Sequence, residues 1–241
     1  MKTVLITGAN KSIGFETARQ LLQKGYFVYL GSRDLEKGNE AVAKLKAEGL
    51  TNVEAIQINV TDTASIAAAR KQVVSLDILI NNAGILGKVP QKPTGTATEV
   101  IREVFDTNFF GVIDVTNAFL DLLKQSDGPR IVNVTSGLGS LTMQSDYSWR
   151  NSHVRGAAYV PSKAALNAYT VVLAYELADT AFKVNVVDPG YTATDFNNHS
   201  GPGTVEEAAA RLVKCAMIDA DGPSGQFFSD DNNPETGISP W

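Results

Sequence analysis

Val4-Leu5-Ile6-Thr7-Gly8-Ala9-Asn10-Lys11-Ser12-Ile13-Gly14 runs from a short apolar stretch, through a glycine-bearing turn, into a helical pattern. The apolar run ends at Gly8 and is too short for a signal-peptide core, so it reads as a buried strand. Gly8 permits a tight turn, and Gly14 permits close approach of the helix to the sheet. A helix beginning near Ile13 presents unpaired N–H groups and the positive end of its dipole, where a diphosphate could sit. A plain strand-to-helix turn fits the same letters, so the reading depends on what surrounds them.

Working outward, short β-rich runs alternate with longer helical patterns to the end of the chain. Strands are expected at Val4 to Ile6, Phe27 to Leu30, Val53 to Ile58, Ile78 to Ile80, Ile131 to Val134, Lys183 to Val187 and Gly225 to Phe228. Their apolar rather than alternating character places helices on both faces of a parallel sheet, an α/β architecture. The helices are expected at Ile13 to Lys24, Leu35 to Glu48, Ala97 to Leu123 with an interruption around Asn108 to Gly111, Tyr159 to Leu177 and Thr204 to Met217. Neither a repeat nor a Pro/Gly-rich linker divides the chain, and residues 1–241 are expected to form one domain. Within it, Gly137 to Gly156 is too long for a routine connection and is expected to be a mostly irregular segment covering a site.

At 241 residues the chain can bury a substantial core, and 44% hydrophobic with 20% charged residues is the composition of a globular protein. A net charge of −5 argues against nucleic acid as a partner. No stretch approaches a membrane span. The single cysteine, Cys215, excludes an intrachain disulfide or a multi-cysteine zinc site, His153 stands without metal-binding companions, and no metal is expected. A reducing cytoplasm fits this cysteine usage.

Tyr159 and Lys163, in Tyr-Val-Pro-Ser-Lys, are four residues apart and share one helix face, which sets an ammonium beside a phenol. Asn81-Asn82-Ala83-Gly84 follows the fourth strand, Thr135-Ser136 ends the fifth, and Asp188-Pro189-Gly190 follows the sixth. Together with the glycine turn, this ordered set resembles the classical short-chain dehydrogenase/reductase family, and within it the NADPH-dependent carbonyl reductase branch. The resemblance runs from about Thr3 to the end of the chain. It implies a Rossmann-type doubly wound sheet of about seven strands in the order 3-2-1-4-5-6-7.

The family's glycine motif has three glycines; here Ser12 replaces the middle one, and its Cβ would crowd a diphosphate or its hydroxyl would donate to it. Asn59 likewise stands where the family usually has aspartate. The resemblance implies a cofactor held by Gly8, Asn10, Lys11, Ser12, Ile13, Gly14, Arg33, Asn59, Val60, Asn82, Ala83, Gly84, Tyr159, Lys163, Pro189, Gly190, Thr192 and Thr194. At the end of the second strand, where an acidic residue would bind the ribose hydroxyls of NAD, the sequence reads Gly31-Ser32-Arg33-Asp34. Arg33 and Lys11 are two cations for a 2′-phosphate, which points to NADPH/NADP+. Asp34 is expected to cap the following helix.

Reducing a carbonyl takes a hydride on carbon, a proton on oxygen and stabilisation of the charge on that oxygen. The expected catalytic set is Asn108, Ser136, Tyr159 and Lys163. Tyr159 is the acid–base group, its pKa drawn down from about 10 by Lys163 and the oxidised cofactor. Ser136 bonds the reacting oxygen, and Lys163 also holds the nicotinamide ribose. The resemblance makes Asn108 the helix asparagine whose backbone disturbance holds a water against the lysine.

Gly137 to Ala158 is nearly twice the usual family length between serine and tyrosine, and Leu138, Trp149 and Tyr191 are the candidates for substrate contact. The Tyr191 to Gly203 segment is expected to be mobile and to close over the cofactor. The reading is a reversible NADPH-dependent reductase of a small ketone or aldehyde. An NADPH-binding redox sensor without turnover and a sugar-nucleotide epimerase or dehydratase are its alternatives. Relatives pair through helices like Ala97 to Leu123 and Tyr159 to Leu177, which implies a homodimer or homotetramer.

Overall fold

In the computed structural model, which describes residues 1–241, the strands are β1 (Thr3–Ile6), β2 (Phe27–Ser32), β3 (Val53–Gln57), β4 (Ile78–Asn81), β5 (Arg130–Val134), β6 (Lys183–Val187) and β7 (Phe227–Phe228). They form one sheet in the order β3-β2-β1-β4-β5-β6-β7, as the resemblance implied, with every neighbouring pair parallel. The order reverses between β1 and β4. In such sheets the crevice beyond the carboxyl ends of those two strands takes the ligand.

The helices are α1 (Ser12–Gln23), α2 (Leu35–Ala47), α3 (Thr63–Gln72), α4 (Thr98–Phe105), α5 (Gly111–Leu123), α6 (Leu141–Ser145), α7 (Tyr159–Glu176) and α8 (Val205–Ala216). Two hydrophobic cores lie on opposite faces of the sheet. Val4, Ile6, Ile78 and Ile80 point into one with Leu21, Leu45 and Leu212; Leu5, Leu79 and Ile131 point into the other with Phe119, Leu173 and Leu177. Successive residues of a strand face opposite sides, so a strand covered on both must be apolar throughout. Each fully buried Leu or Ile contributes about 1.5–3 kcal/mol of transfer free energy, which fixes the register of the central strands and so the place of the loops at their ends. No helix is long and apolar enough to cross a membrane.

The segment read as mostly irregular is more ordered than expected. A 3₁₀ turn spans Gly137–Gly139, and Ser140 caps α6 by accepting from the Met143 N–H at 3.1 Å. A one-turn helix has no period to read, and its formation here rests on that cap and on tertiary anchors. One anchor is the chain's end: the Thr142 N–H donates to the Trp241 carbonyl at 2.9 Å.

Candidate active site

Three devices hold the glycine turn open. Gly8 takes φ +64°, and a Cβ there would stand 3.0 Å from Ala83 Cα. At Gly14 a Cβ would meet Gly8 O at 2.8 Å and Ala9 Cα at 2.9 Å, so a side chain would push α1 off the sheet. The third is the Asn82-Ala83-Gly84 turn, which braces the loop from β4. The Asn82 and Ala83 N–H groups both donate to Thr7 Oγ1 at 3.0 Å, and Asn82 Nδ2 donates to the carbonyls of Thr7 and Gly8.

Capping separates α1 from its neighbours. Asp34 accepts from the first-turn N–H groups of α2, and Asp62 does the same for α3. At α1 the capping position is Lys11, which has no acceptor to offer, and the first turn has no acid. Its leading N–H groups are left for an external acceptor, so the cradle fits a cofactor diphosphate. Asn10, Ser12 and Ile13 lie on this turn.

Ser12 occupies the left-handed region at φ +52°. That conformation suits the glycine usual there and costs an L-residue roughly 1–2 kcal/mol. Replacing Ser12 with Gly, which brings some chain entropy back, is expected to raise stability by up to about 1 kcal/mol. A rise in the denaturant midpoint at unchanged slope measures it, and a fall would show that the hydroxyl outweighs the strain.

The other expected cofactor residues ring the crevice. Arg33 is exposed beside the carboxyl end of β2, while Asp34 is occupied as the α2 cap, as expected. Lys11 pairs with Asp195 at 2.8 Å, and Asp195 also meets His199 Nε2 at 3.0 Å. Asn59 Oδ1 accepts from Thr61, and Val60 is buried against Gly111. Gly84 adjoins Asn108 and Lys163. Beyond β6, Pro189 O accepts from Arg211 at 3.0 Å, Gly190 turns at φ +84°, and Thr192 and Thr194 are buried.

The four expected catalytic residues converge at the carboxyl ends of β4 and β5. The interruption expected around Asn108 is a π-helical turn, Asp106–Phe110, between α4 and α5. Asn108 is fully buried; its Oδ1 accepts from the Ile85 N–H at 2.8 Å, and its Nδ2 donates to Ile85 O at 2.9 Å and Ser162 Oγ at 3.1 Å. Lys163 is buried, with Nζ donating to Val134 O at 2.8 Å and lying 5.8 Å from the Tyr159 ring centroid. Ser136 Oγ accepts from the Leu138 N–H at 3.2 Å, and the hydroxyl is close enough to the Tyr159 phenol to favour its ionised form.

The electrostatics differ from expectation at one point. Burial pushes the Tyr159 pKa up, not down; the Ser136 hydrogen bond opposes this and the charge of Asp188 adds to it. Burial lowers Lys163 to about 8, with Asp188 pulling the other way. The amine is tied to a carbonyl rather than to the phenol oxygen, so desolvation dominates at Tyr159.

Sequence reasoning missed several residues. Gln91 reaches over to cap α7: its Oε1 accepts from the N–H groups of Ala158 and Tyr159, each at 3.1 Å, which fixes the turn bearing the phenol. Phe196 packs on Tyr159 with ring centroids 5.6 Å apart. Neither position carries a local signal, because both contacts join segments far apart in sequence. Of the substrate candidates, Leu138 is half-buried next to Ser136, and Tyr191 is exposed. Trp149 is buried, so its ring does not lie open to a substrate.

The family profile described as short chain dehydrogenase matches residues 2–204. A (+)-neomenthol dehydrogenase of Capsicum annuum is 34% identical, over 93% of this chain and 94% of that protein. The structure of salutaridine reductase from Papaver somniferum superposes with a TM-score of 0.81 at 34% identity, covering 94% of this chain and 99% of the other. NADPH-bound carbonyl reductase from chicken fatty liver gives a TM-score of 0.82 at 27% identity, covering 100% and 99%.

Proposed function

Since the chain belongs to the short-chain dehydrogenase family, we propose that it reduces a ketone or aldehyde to the alcohol, reversibly, with NADPH as the hydride source. The convergence of Ser136, Tyr159 and Lys163 beside an uncapped glycine turn is the observation that carries this reading. A bound reduced nicotinamide supplies the hydride.

The chain's own residues handle the oxygen. With its pKa raised, Tyr159 is protonated at neutral pH and is ready to donate to the carbonyl oxygen. Ser136 supplies a second hydrogen bond to that oxygen. With a pKa of about 8, Lys163 is charged at pH 7 and stabilises the phenolate left behind. Asn108, locked by Ile85 and Ser162, stabilises the π turn and keeps the wall beside Lys163 polar. In the reverse direction the phenolate takes the alcohol proton.

Arg33 and Lys11 support NADPH over NADH, since Arg33 is exposed at the end of β2 and no free carboxylate stands there for the ribose hydroxyls. Asp195 holds Lys11 by an exposed ion pair, which is weak enough to yield to a phosphate. Arg33→Asp should raise the Michaelis constant for NADPH roughly 10- to 100-fold, the worth of one charge-assisted bond, and leave that for NADH much less changed. Equal changes would remove Arg33 from 2′-phosphate recognition.

The direct test follows the absorbance of NADPH and NADH with aryl ketones, keto esters, quinones and aldehydes. Salutaridine, for which one relative is named as a reductase, joins the panel, and neomenthol, the alcohol for which another is named, is offered with NADP+ in the oxidation direction. Turnover with NADPH supports the reading. Tight NADPH binding with no turnover on any carbonyl would favour a sensor.

A further inference from the structure

Asp188 is a buried carboxylate for which the proposed chemistry has no use. It stands one residue past β6 and is 4% exposed. Its Oδ1 accepts from the Gly190 N–H at 3.0 Å and its Oδ2 accepts from Ser229 Oγ at 2.7 Å, with the Gly137 backbone packed against Oδ2. A backbone N–H meets one oxygen and a hydroxyl the other; burial and the charge of Asp231 push the pKa of the group up, and these hydrogen bonds oppose that and favour the carboxylate.

The three contacts come from three strand exits. Gly137 follows β5, Gly190 follows β6 and Ser229 follows β7. The Asp188 N–H itself donates to Phe228 O at 2.8 Å. Only glycine admits this approach on the β5 side, because a Cβ at Gly137 would stand 2.9 Å from Oδ2. Ser136 adjoins that glycine. Lys163 Nζ is held by Val134, which pairs in register with Val187, the residue before Asp188. The carboxylate therefore lies in the same layer as the amine and near the phenol, and its charge acts on both. The other charged groups facing it are Asp231 and, through an ion pair with Asp231, Arg211.

From this geometry we propose that Asp188 is a positioning residue: it ties the exits of β5, β6 and β7 together and, as an anion beside Tyr159 and Lys163, sets the pH range over which the pair exchanges its proton. The inference rests on the reductase reading for its catalytic consequence, and on the placement of the carboxylate in the layer of the amine for its electrostatic one.

The sign is fixed by Coulomb's law. An anion favours the protonated state of both neighbours, so removing it lowers both pKa values. Asp188→Asn keeps the shape and removes the charge. Carbon NMR of isotope-labelled lysine, assigned against Lys163→Met, titrates the amine without turnover. The Lys163 midpoint should fall from about 8 by about one unit in Asp188→Asn. The alkaline limb of ketone reduction and the acid limb of alcohol oxidation should both move to lower pH by a similar amount. Should the amide variant fail to fold, Asp188→Ser is a smaller neutral replacement whose hydroxyl still meets Gly190, and the same shifts are expected.

A folded neutral variant with an unmoved Lys163 midpoint overturns the inference, even if activity drops. A moved midpoint in a protein that turns over no carbonyl upholds the electrostatic role and counts against the reductase reading instead.

Discussion

Tyr159→Phe is expected to lower turnover by about 10²–10⁴ fold, the range for losing an acid–base group, while the protein stays folded. The change removes one oxygen and leaves the ring. The packing on Phe196 and the Gln91 contact to the backbone N–H of residue 159 therefore survive. Ser136 loses the phenol as a neighbour but still accepts from Leu138 and keeps its place. The Michaelis constant should change little, because the proton moves only on the way to the transition state. Steady-state rates with NADPH and a turned-over ketone, alongside a denaturation curve, decide it: near-normal turnover from a folded variant would take the acid–base role from Tyr159.

The direction of the Tyr159 shift clarifies what the sequence could convey. Four-residue spacing correctly put Lys163 and Tyr159 on one helix face. It could not say how much solvent each would lose, and desolvation is the largest influence on the phenol. A raised phenol stays protonated at neutral pH, which is the state the proposed reduction starts from. Oxidation needs the phenolate, which added positive charge nearby would favour.

The same division runs through the fold. The strands and their order were legible because each apolar run is closed by a turn residue and because the motifs sit at fixed strand ends, as at Gly8, Asn82 and Gly190. The disturbed helix at Asn108 was legible from family resemblance, and the structure adds its cause: the amide is bonded to Ile85 from the β4 exit and to Ser162 from α7. What escaped was contact between distant segments. Gln91 capping α7 and Phe196 lying on Tyr159 depend on how loops fold back, and no local period records that, nor the burial of Trp149. Asp188 was visible in its motif, but its significance comes from the two strand exits that flank it.

Lys163→Met should lower turnover by about 10²–10³ fold, the loss usual when a preorganised electrostatic group is removed, yet cost little stability. A free lysine titrates at 10.5 and this one at about 8, so burying its charge destabilises the fold at neutral pH by about 3 kcal/mol. Methionine removes that cost and fills a similar volume. Against this, Val134 O loses its donor, which costs about 1–3 kcal/mol, and the two effects nearly cancel. The pH dependence isolates the charge. Between about pH 8 and 10.5 the unfolded chain holds the lysine proton and the folded one does not, so the wild-type contribution rises with pH across that window. Below it both states are charged and the cost is constant. The methionine variant lacks this rise, and denaturant midpoints at several pH values up to 10 should lie on a flatter line than those of the wild type. Parallel lines would mean that the amine keeps an ordinary pKa and is not desolvated in the fold. Lys163 would then not be the buried cation on which the proposed proton transfer depends.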